Sequence, residues 1–329
     1  MNRPISRPLR NIVDTLLALA LVLAANLSGC ASGDGLNNKN DTHQSDVADE
    51  TSTQTDADED AVEDVLSDAD LALDDQLDGT DDATQVDGDT APDTSNTCIP
   101  NHDGTITRAE MPIQTGLRGT FKVAQDASVD MVGSTDDAGL RSWDLSGALA
   151  GDHLVLSELR VPDGFWFAND FPNATYVSPL SDTSPLLGIF QATDGALLLL
   201  GVASPEDSFT ATKVTYDPGV TLLSFPLTAN KTWTTDTSIS GTYNGVFTMY
   251  NETYVSKVDT SGTLRTPFGE FDVLRVAVTL DKTVGFITTT TRSLLFVTEC
   301  FGTVANVTSQ ADETAVEFTD AAEVRRLSP

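Results

Sequence analysis

The chain has 329 residues, of which 50 are Asp or Glu and 18 are Lys or Arg, so its formal net charge at pH 7 is −32. The charge is unevenly spread. Residues 31–97 hold 21 acidic residues and one lysine (−20), whereas residues 98–329 hold 28 acidic and 14 basic residues (−14). A chain of this kind lacks the basic face that neutralises phosphates, which excludes nucleic acid as a partner and adsorption by charge to an anionic lipid surface.

Residues 1–29 have the pattern of an export signal. Three arginines precede an apolar run, Leu16–Ala25, that has about half the length a bilayer-spanning helix needs. The run is followed by Leu27-Ser28-Gly29-Cys30, which resembles the lipobox of bacterial lipoproteins. The resemblance implies diacylglycerol on the Cys30 thiol, cleavage before Cys30 and a further acyl chain, such as palmitate, on the new amino group.

The implied lipidation makes a lipid bilayer the first expected partner, because two or three acyl chains anchor a protein stably. It also implies a place in the bacterial cell envelope. Ala31 and Ser32 follow the cysteine in place of the aspartate that retains many such proteins in the inner membrane. The analogy therefore favours the outer membrane over the inner one.

The acidic segment 30–97, which begins with the lipidated cysteine, is rich in Asp, Thr, Ser and Asn and has few large apolar residues. Such a composition cannot bury enough surface to offset the entropy of ordering, so we expect a disordered tether. Residues 31–97 would span roughly 45 Å as a flexible coil. Apolar residues at helical spacing within Ala61–Leu77 allow a transient helix there. An acidic tail that recruits a partner is the alternative to a spacer.

From Cys98 onwards, short β-rich runs alternate with turn residues. In the run Phe271–Leu280, Leu274 and every second residue after it are apolar. This two-residue period predicts a strand with one buried face. No long amphipathic helix is indicated, so the sequence predicts an all-β domain over residues 117–329. We expect an antiparallel sandwich or a curved open half-barrel, with a division into two β units near residue 218 as the alternative. The other predicted strands are Leu117–Val123, Leu154–Val161, Ala196–Val202, Val220–Phe225 and Val284–Glu299.

Two segments carry a second resemblance. Phe225–Trp233 and Thr266–Val276 resemble turn-and-strand motifs of uncharacterised secreted bacterial β-proteins, with Asn230 where those proteins have glycine. The sheets of those proteins are similar to the curved half-barrel of periplasmic lipoprotein carriers. The resemblance implies a turn followed by a strand at the first place, a hairpin at the second, and no particular activity.

The segment 98–116 contains a partial calcium-binding pattern. Asn101-His102-Asp103-Gly104 and the residues up to Glu110 resemble the second part of an EF-hand loop, although Ile99 stands where the first ligand would be. We therefore expect a tight Asp-Gly turn and no cofactor, with weakly bound calcium as the alternative. The candidate ligands are Asn101, Asp103, Thr105, Thr107 and Glu110.

The cysteine count predicts a disulfide. With Cys30 lipidated, Cys98 and Cys300 remain, and two thiols in an oxidising compartment favour a bond between them. Neither cysteine belongs to a CxxC motif, so redox catalysis is not indicated.

No catalytic motif is recognisable, and histidine is nearly absent. His153 follows a Gly-Asp turn, where a surface position is expected rather than a general base. We therefore expect a non-enzymatic envelope protein with a structural or ligand-binding β-domain that binds an unknown protein or small molecule. A carboxylate-dependent, glycosidase-like hydrolase is the alternative. The candidate ligand surface is a group of aromatic residues near Asp163 and Asp170, which core packing would explain equally: Phe165, Trp166, Phe167 and Phe171.

Overall fold

The computed structural model describes residues 98–137 and 139–329. The predictions for the signal peptide, Cys30 and the acidic tether lie outside these residues. Within the described part the chain forms fourteen strands and two short 3₁₀ helices, η1 (Arg108–Glu110) and η2 (Ala168–Asp170). The strands are β1 (Arg118–Ser128), β2 (Ser134–Thr135), β3 (Arg141–Asp144), β4 (His153–Glu158), β5 (Tyr176–Pro179), β6 (Leu187–Ala192), β7 (Ala196–Ala203), β8 (Lys213–Ser224), β9 (Thr232–Tyr243), β10 (Val246–Arg265), β11 (Glu270–Val284), β12 (Ile287–Thr298), β13 (Gly302–Ser309) and β14 (Asp320–Ser328).

Twelve of these strands form one antiparallel sheet in the order β4-β1-β14-β13-β12-β11-β10-β9-β8-β7-β6-β5. The two edges of the sheet meet just beyond β4, where Arg160 and Val177 exchange two backbone hydrogen bonds of 2.9 Å. The all-β, antiparallel prediction is confirmed, and the curved sheet is more closed than an open half-barrel because its edge strands meet. A short parallel pairing of β3 with the end of β10 is the exception to the antiparallel pattern.

The hairpin predicted at Thr266–Val276 is present, and Phe225–Trp233 forms the connection between β8 and β9 and the start of β9. Asn230 has a φ of 64°, the left-handed conformation for which Asn is one of the better non-glycine residues. The turn Thr266–Gly269 joins β10 to β11, with Arg265 paired to Glu270. Strand β8 runs through residue 218, so a single sheet continues across the position of the alternative domain division.

Strand β11 separates two apolar cores. Leu274 and the alternate residues up to Leu280 belong to one core, as the sequence predicts, whereas Phe271 and Val273 belong to the other. The expectation of a half-buried strand is therefore wrong for the first half of β11. The reason is that the connection between β1 and β4 covers the second face, with Trp143 packed edge-on against Phe296 at 5.0 Å.

Candidate functional site

A pocket of about 640 Å³ opens at the end of the sheet where β10 turns into β11. A volume of this size is within the range of small-molecule sites. One wall comes from the segment after Cys98, another from the β10–β11 turn, and a third from the end of β12. The side chains that line the pocket include His102, Ile106, Leu140, Phe268, Glu270, Phe271, Asp272, Val273, Leu274, Glu299 and Phe301.

Three phenyl rings form the apolar part of the pocket. Phe271 and Phe301 meet edge to face with ring centroids 5.2 Å apart. Phe268 lies 6.1 Å from the Phe271 ring and 5.9 Å from the Phe301 ring. Phe268 is 42% exposed, whereas Phe271 is buried, so the rings present an accessible apolar surface backed by the core. An aromatic cluster of this kind suits an apolar ligand.

Each carboxylate in the pocket already has a partner. Glu299 Oε2 accepts the backbone N–H of Asn101 at 2.6 Å and that of His102 at 3.2 Å. Asp272 Oδ2 lies 3.2 Å from His102 Nδ1, and Glu270 accepts a 2.9 Å hydrogen bond from Arg265. The carboxylates therefore hold the walls of the pocket together.

The disulfide fastens the first wall to the sheet. Cys98 and Cys300 are bonded, with their Cα atoms 5.4 Å apart, so the predicted pairing is confirmed. The Cys300 N–H also donates to the Glu110 carbonyl at 2.8 Å, and Ile106 forms an isolated β-bridge with Leu227. These contacts keep the segment 98–116 against the end of the sheet.

The candidate calcium ligands lie in one compact loop. The Asn101 side-chain amide donates to Glu110 Oε1 at 2.8 Å, and both the N–H and the hydroxyl of Thr107 donate to Glu110 Oε2. Asp103 Oδ1 accepts the Thr105 N–H at 2.7 Å. Within the described residues no three His, Cys, Asp or Glu side chains are grouped as a metal site. Calcium binding stays a prediction, and a bound ion would replace the hydrogen bonds of Glu110.

The aromatic residues near η2 pack mainly against the outer side of the sheet. Phe167 and Phe171 are buried, and Phe165 stacks on Phe167 with centroids 5.2 Å apart. The indole N–H of Trp166 donates to the Ser204 carbonyl at 2.9 Å. Phe165 and Trp166 remain partly exposed, so a ligand surface at this place stays a prediction.

His153 is exposed, as expected, and it forms an ion pair with Asp182 through Nε2. Its other ring nitrogen lies 3.0 Å from the Gly151 carbonyl. These two contacts raise the pKa of His153 above its usual 6.5. Because both ring nitrogens are engaged, neither is free to accept a proton from a nucleophile, as a general base must.

A buried polar cluster, which the sequence did not reveal, lies on β10 and β11. Tyr254 donates a 2.6 Å hydrogen bond to Glu252, and the cross-strand neighbour Lys282 lies over the Tyr250 ring at 4.2 Å. Burial raises the pKa of Glu252, while Tyr254 and Lys282 oppose that shift. Glu252 is not among the residues that line the pocket.

The sequence also did not reveal the pocket residues themselves. The three phenylalanines lie in unrelated parts of the sequence. Phe268 is in a turn, Phe271 is in strand β11, and Phe301 follows Cys300. The one available signal was the position of Phe301 beside Cys300, because a disulfide to Cys98 brings the two borders of the folded region together.

Comparison with known proteins adds no functional information. No protein family, no curated protein and no solved structure matches the chain. Over residues 98–137 and 139–329, no helix has the length and apolar character needed to cross a bilayer. The functional argument therefore depends on the pocket and on the contacts that build it.

Proposed function

We propose that this protein is a lipid-anchored lipoprotein of the bacterial cell envelope whose β-domain binds a small, mainly apolar ligand without transforming it. The observation that carries the binding role is the phenyl-lined pocket beside the Cys98–Cys300 disulfide. The lipobox-like motif ending at Cys30 carries the anchoring role, and the residues after Cys30 favour the outer membrane.

Binding without catalysis agrees with the chemistry of the pocket. A glycosidase-type general acid is a carboxyl group with a raised pKa next to the bond that breaks. Burial raises the pKa of Glu252, but Glu252 does not line the pocket. The pocket carboxylates are engaged with Arg265, His102 and backbone amides.

The binding role is tested with N-phenyl-1-naphthylamine, an uncharged apolar probe whose fluorescence rises when it leaves water. Phe268→Ala and Phe301→Ala should each weaken its binding about tenfold, because each removes most of an apolar contact surface. Phe286→Ala is the matched control, since Phe286 is fully exposed and does not line the pocket. Equal affinity of the three variants for the probe would show that the pocket is not the binding site.

The anchoring role is tested by metabolic labelling with a radioactive fatty acid. The wild-type chain should be labelled and should fractionate with membranes, whereas Cys30→Ser should lose the label. An unlabelled wild-type protein would contradict the anchor. Separation of inner from outer membranes then tests the expected outer-membrane location.

A further inference from the structure

An unexplained apolar surface lies at the other end of the sheet. Six large apolar side chains there are between 69% and 107% exposed. They come from the β9–β10 hairpin, the β11–β12 hairpin and the loop between β7 and β8, and we call them the tip cluster. Its members are Phe209, Val246, Phe247, Met249, Phe286 and Ile287.

The three segments of the tip cluster are neighbours. Asn251 pairs with Thr283 across β10 and β11, which places the two hairpin ends side by side. The Gly245 N–H donates to the Ala211 carbonyl at 3.3 Å, and a Cβ on Gly245 would come within 2.5 Å of the Phe209 carbonyl. The loop that carries Phe209 is therefore packed against the first hairpin.

Both hairpin ends are uncharged as well as apolar. Residues 241–251 and 283–291 contain no charged side chain. Glu206 and Asp207 precede Phe209 on the third segment. Exposed apolar side chains in a contiguous group mark an interaction surface rather than ordinary surface variation.

We propose that the tip cluster inserts into the headgroup region of the bilayer that carries the Cys30 lipid, so this inference rests on the anchoring part of the proposed function. In the proposed function the Cys30 lipid keeps this surface close to a bilayer, whose fluid interface accepts apolar side chains of any shape. Tyr243, the last residue of β9, is partly exposed next to the tips, and an amphipathic ring of this kind favours the interface between membrane and water.

The length of chain between the lipid and the domain permits this orientation. Strand β12 runs from Ile287 at the tip to Thr298 beside the disulfide, a distance of about 40 Å for twelve residues. Residues 31–97 can extend to at most about 220 Å. The chain can therefore pass from the membrane along the domain to Cys98, and the pocket then faces away from the bilayer.

The test uses the full lipidated chain reconstituted in vesicles of phosphatidylethanolamine and phosphatidylglycerol. A nitrobenzoxadiazole label is attached at Phe286→Cys, and the control label is attached at Asp194→Cys. Asp194 is exposed in the β6–β7 turn at the pocket end of the sheet. Lipids that carry a nitroxide quencher on the acyl chain should quench the label at position 286 several-fold more than the label at position 194.

Two further variants make the result specific. Phe247→Ser with Ile287→Ser should lower the inserted fraction at least about tenfold, because two apolar side chains leave the interface. Deletion of residues 33–92 leaves seven residues between Cys30 and Cys98, a reach of about 25 Å. An upright domain can then no longer place its tips in the bilayer, so quenching should fall. Far-ultraviolet circular dichroism checks that both variants are folded.

Three results would overturn the proposal. One is equal lipid quenching at positions 286 and 194. Another is a label at position 286 that is protected from aqueous iodide but not quenched by lipid, since another protein surface would then cover the tips. The third is undiminished quenching in the deletion variant. Fatty-acid labelling of the same samples reports the anchor separately, so its failure is distinguishable from failure of the tip cluster to insert.

Discussion

Buried charged side chains of the β-domain are stabilised by partners from distant parts of the chain. Arg275 is 1% exposed and donates to Asp259 at 2.7 Å and to Glu317 at 2.8 Å. It also donates to the Met131 carbonyl at 3.0 Å. Since these partners lie on β10 and on the segments that cover the second core, Arg275 joins three parts of the domain.

Arg275→Met should therefore lower the free energy of unfolding by about 3–5 kcal/mol, because it leaves Asp259 partly buried without its cation and leaves Glu317 with Arg141 alone. Urea unfolding followed by tryptophan fluorescence measures the change. The matched control is Arg265→Met, whose ion pairs are exposed, and its effect should be too small to resolve. An equally small effect of Arg275→Met would show that the buried network adds no net stability.

The ion pair of His153 with Asp182 predicts a pH dependence. Burial would raise the pKa of Asp182, but the hydrogen bond from His153 and its charge lower it, while the pKa of His153 is raised. Glu323 and Arg325 are the other charged groups that act on the pair. A raised histidine pKa gives a stabilising contribution that is complete below pH 6.5 and disappears as the pH rises through the folded-state pKa.

The unfolding free energy of the wild type should exceed that of His153→Gln below pH 6.5, and the two should converge at alkaline pH. Because the Asp182 pKa is lowered, its own contribution is lost only as the pH falls through the folded-state value. An NMR titration of the His153 ring protons gives the pKa directly. A difference between the two proteins that grows with rising pH would contradict the assignment.

At the scale of elements, the segment 98–116 forms one wall of the pocket and closes the end of the sheet. Its attachment includes the disulfide, the Ile106–Leu227 bridge and the hydrogen bonds of Glu299. The disulfide spans 202 residues of sequence. For a loop of that length, the chain-entropy model gives a ceiling near 5 kcal/mol on its stabilising effect.

Replacing both cysteines by serine should lower the free energy of unfolding by an amount up to this ceiling and should weaken binding of N-phenyl-1-naphthylamine. The second effect follows because the segment after Cys98 supplies one wall of the pocket. Urea unfolding and probe titration, with and without reductant, measure both. Wild-type behaviour in the double variant would show that the other contacts alone hold the segment.

Calcium binding to the loop Asn101–Glu110 predicts a small stabilisation. At millimolar calcium and a dissociation constant of ~0.1 mM, binding would contribute about 1.4 kcal/mol, which is a rise in melting temperature of ~2–4 °C. The test compares melting in calcium and in chelator for the wild type, Asp103→Asn and Glu110→Gln. A rise in the wild type no larger than in either variant would leave the loop as a turn.

The strands that were predictable from sequence are those whose pattern is local. The alternation in β11 identifies a strand because side-chain direction reverses at each residue. Strand β7 is identified by the turn residues on either side of it. Strands β9, β10, β13 and β14 were missed because threonine, serine and charged residues interrupt their apolar pattern. Those residues face buried partners that lie far away in sequence, such as the pair Glu252 and Lys282.

The pocket could not be predicted for the same reason. Phe268 and Phe301 are separated by 33 positions, and only the folding of β11 and β12 between them brings their rings to 5.9 Å. The disulfide was predictable because the expected lipidation of Cys30 leaves two cysteines to pair. The burial of the second face of β11 was not predictable, because that face is covered by the connection between β1 and β4, which has little regular structure.

At the scale of the whole β-domain, the two ends of the sheet have different surfaces. One end carries the disulfide, the segment 98–116 and the pocket, and the other carries the tip cluster. In the proposed arrangement the acidic tether joins the pocket end to the lipid, while the tips contact the bilayer. The pocket is then presented to the surrounding compartment, where an apolar ligand can enter it.

Methyl NMR tests whether a ligand binds in the phenyl-lined pocket. On titration with N-phenyl-1-naphthylamine, the methyl signals of Ile106, Leu140, Val273 and Leu274 should shift together, because these residues line the pocket. Those of the exposed residues Leu154 and Leu156 on β4 should remain in place. Shifts confined to residues outside the pocket, or spread evenly over all exposed methyl groups, would contradict binding in the pocket.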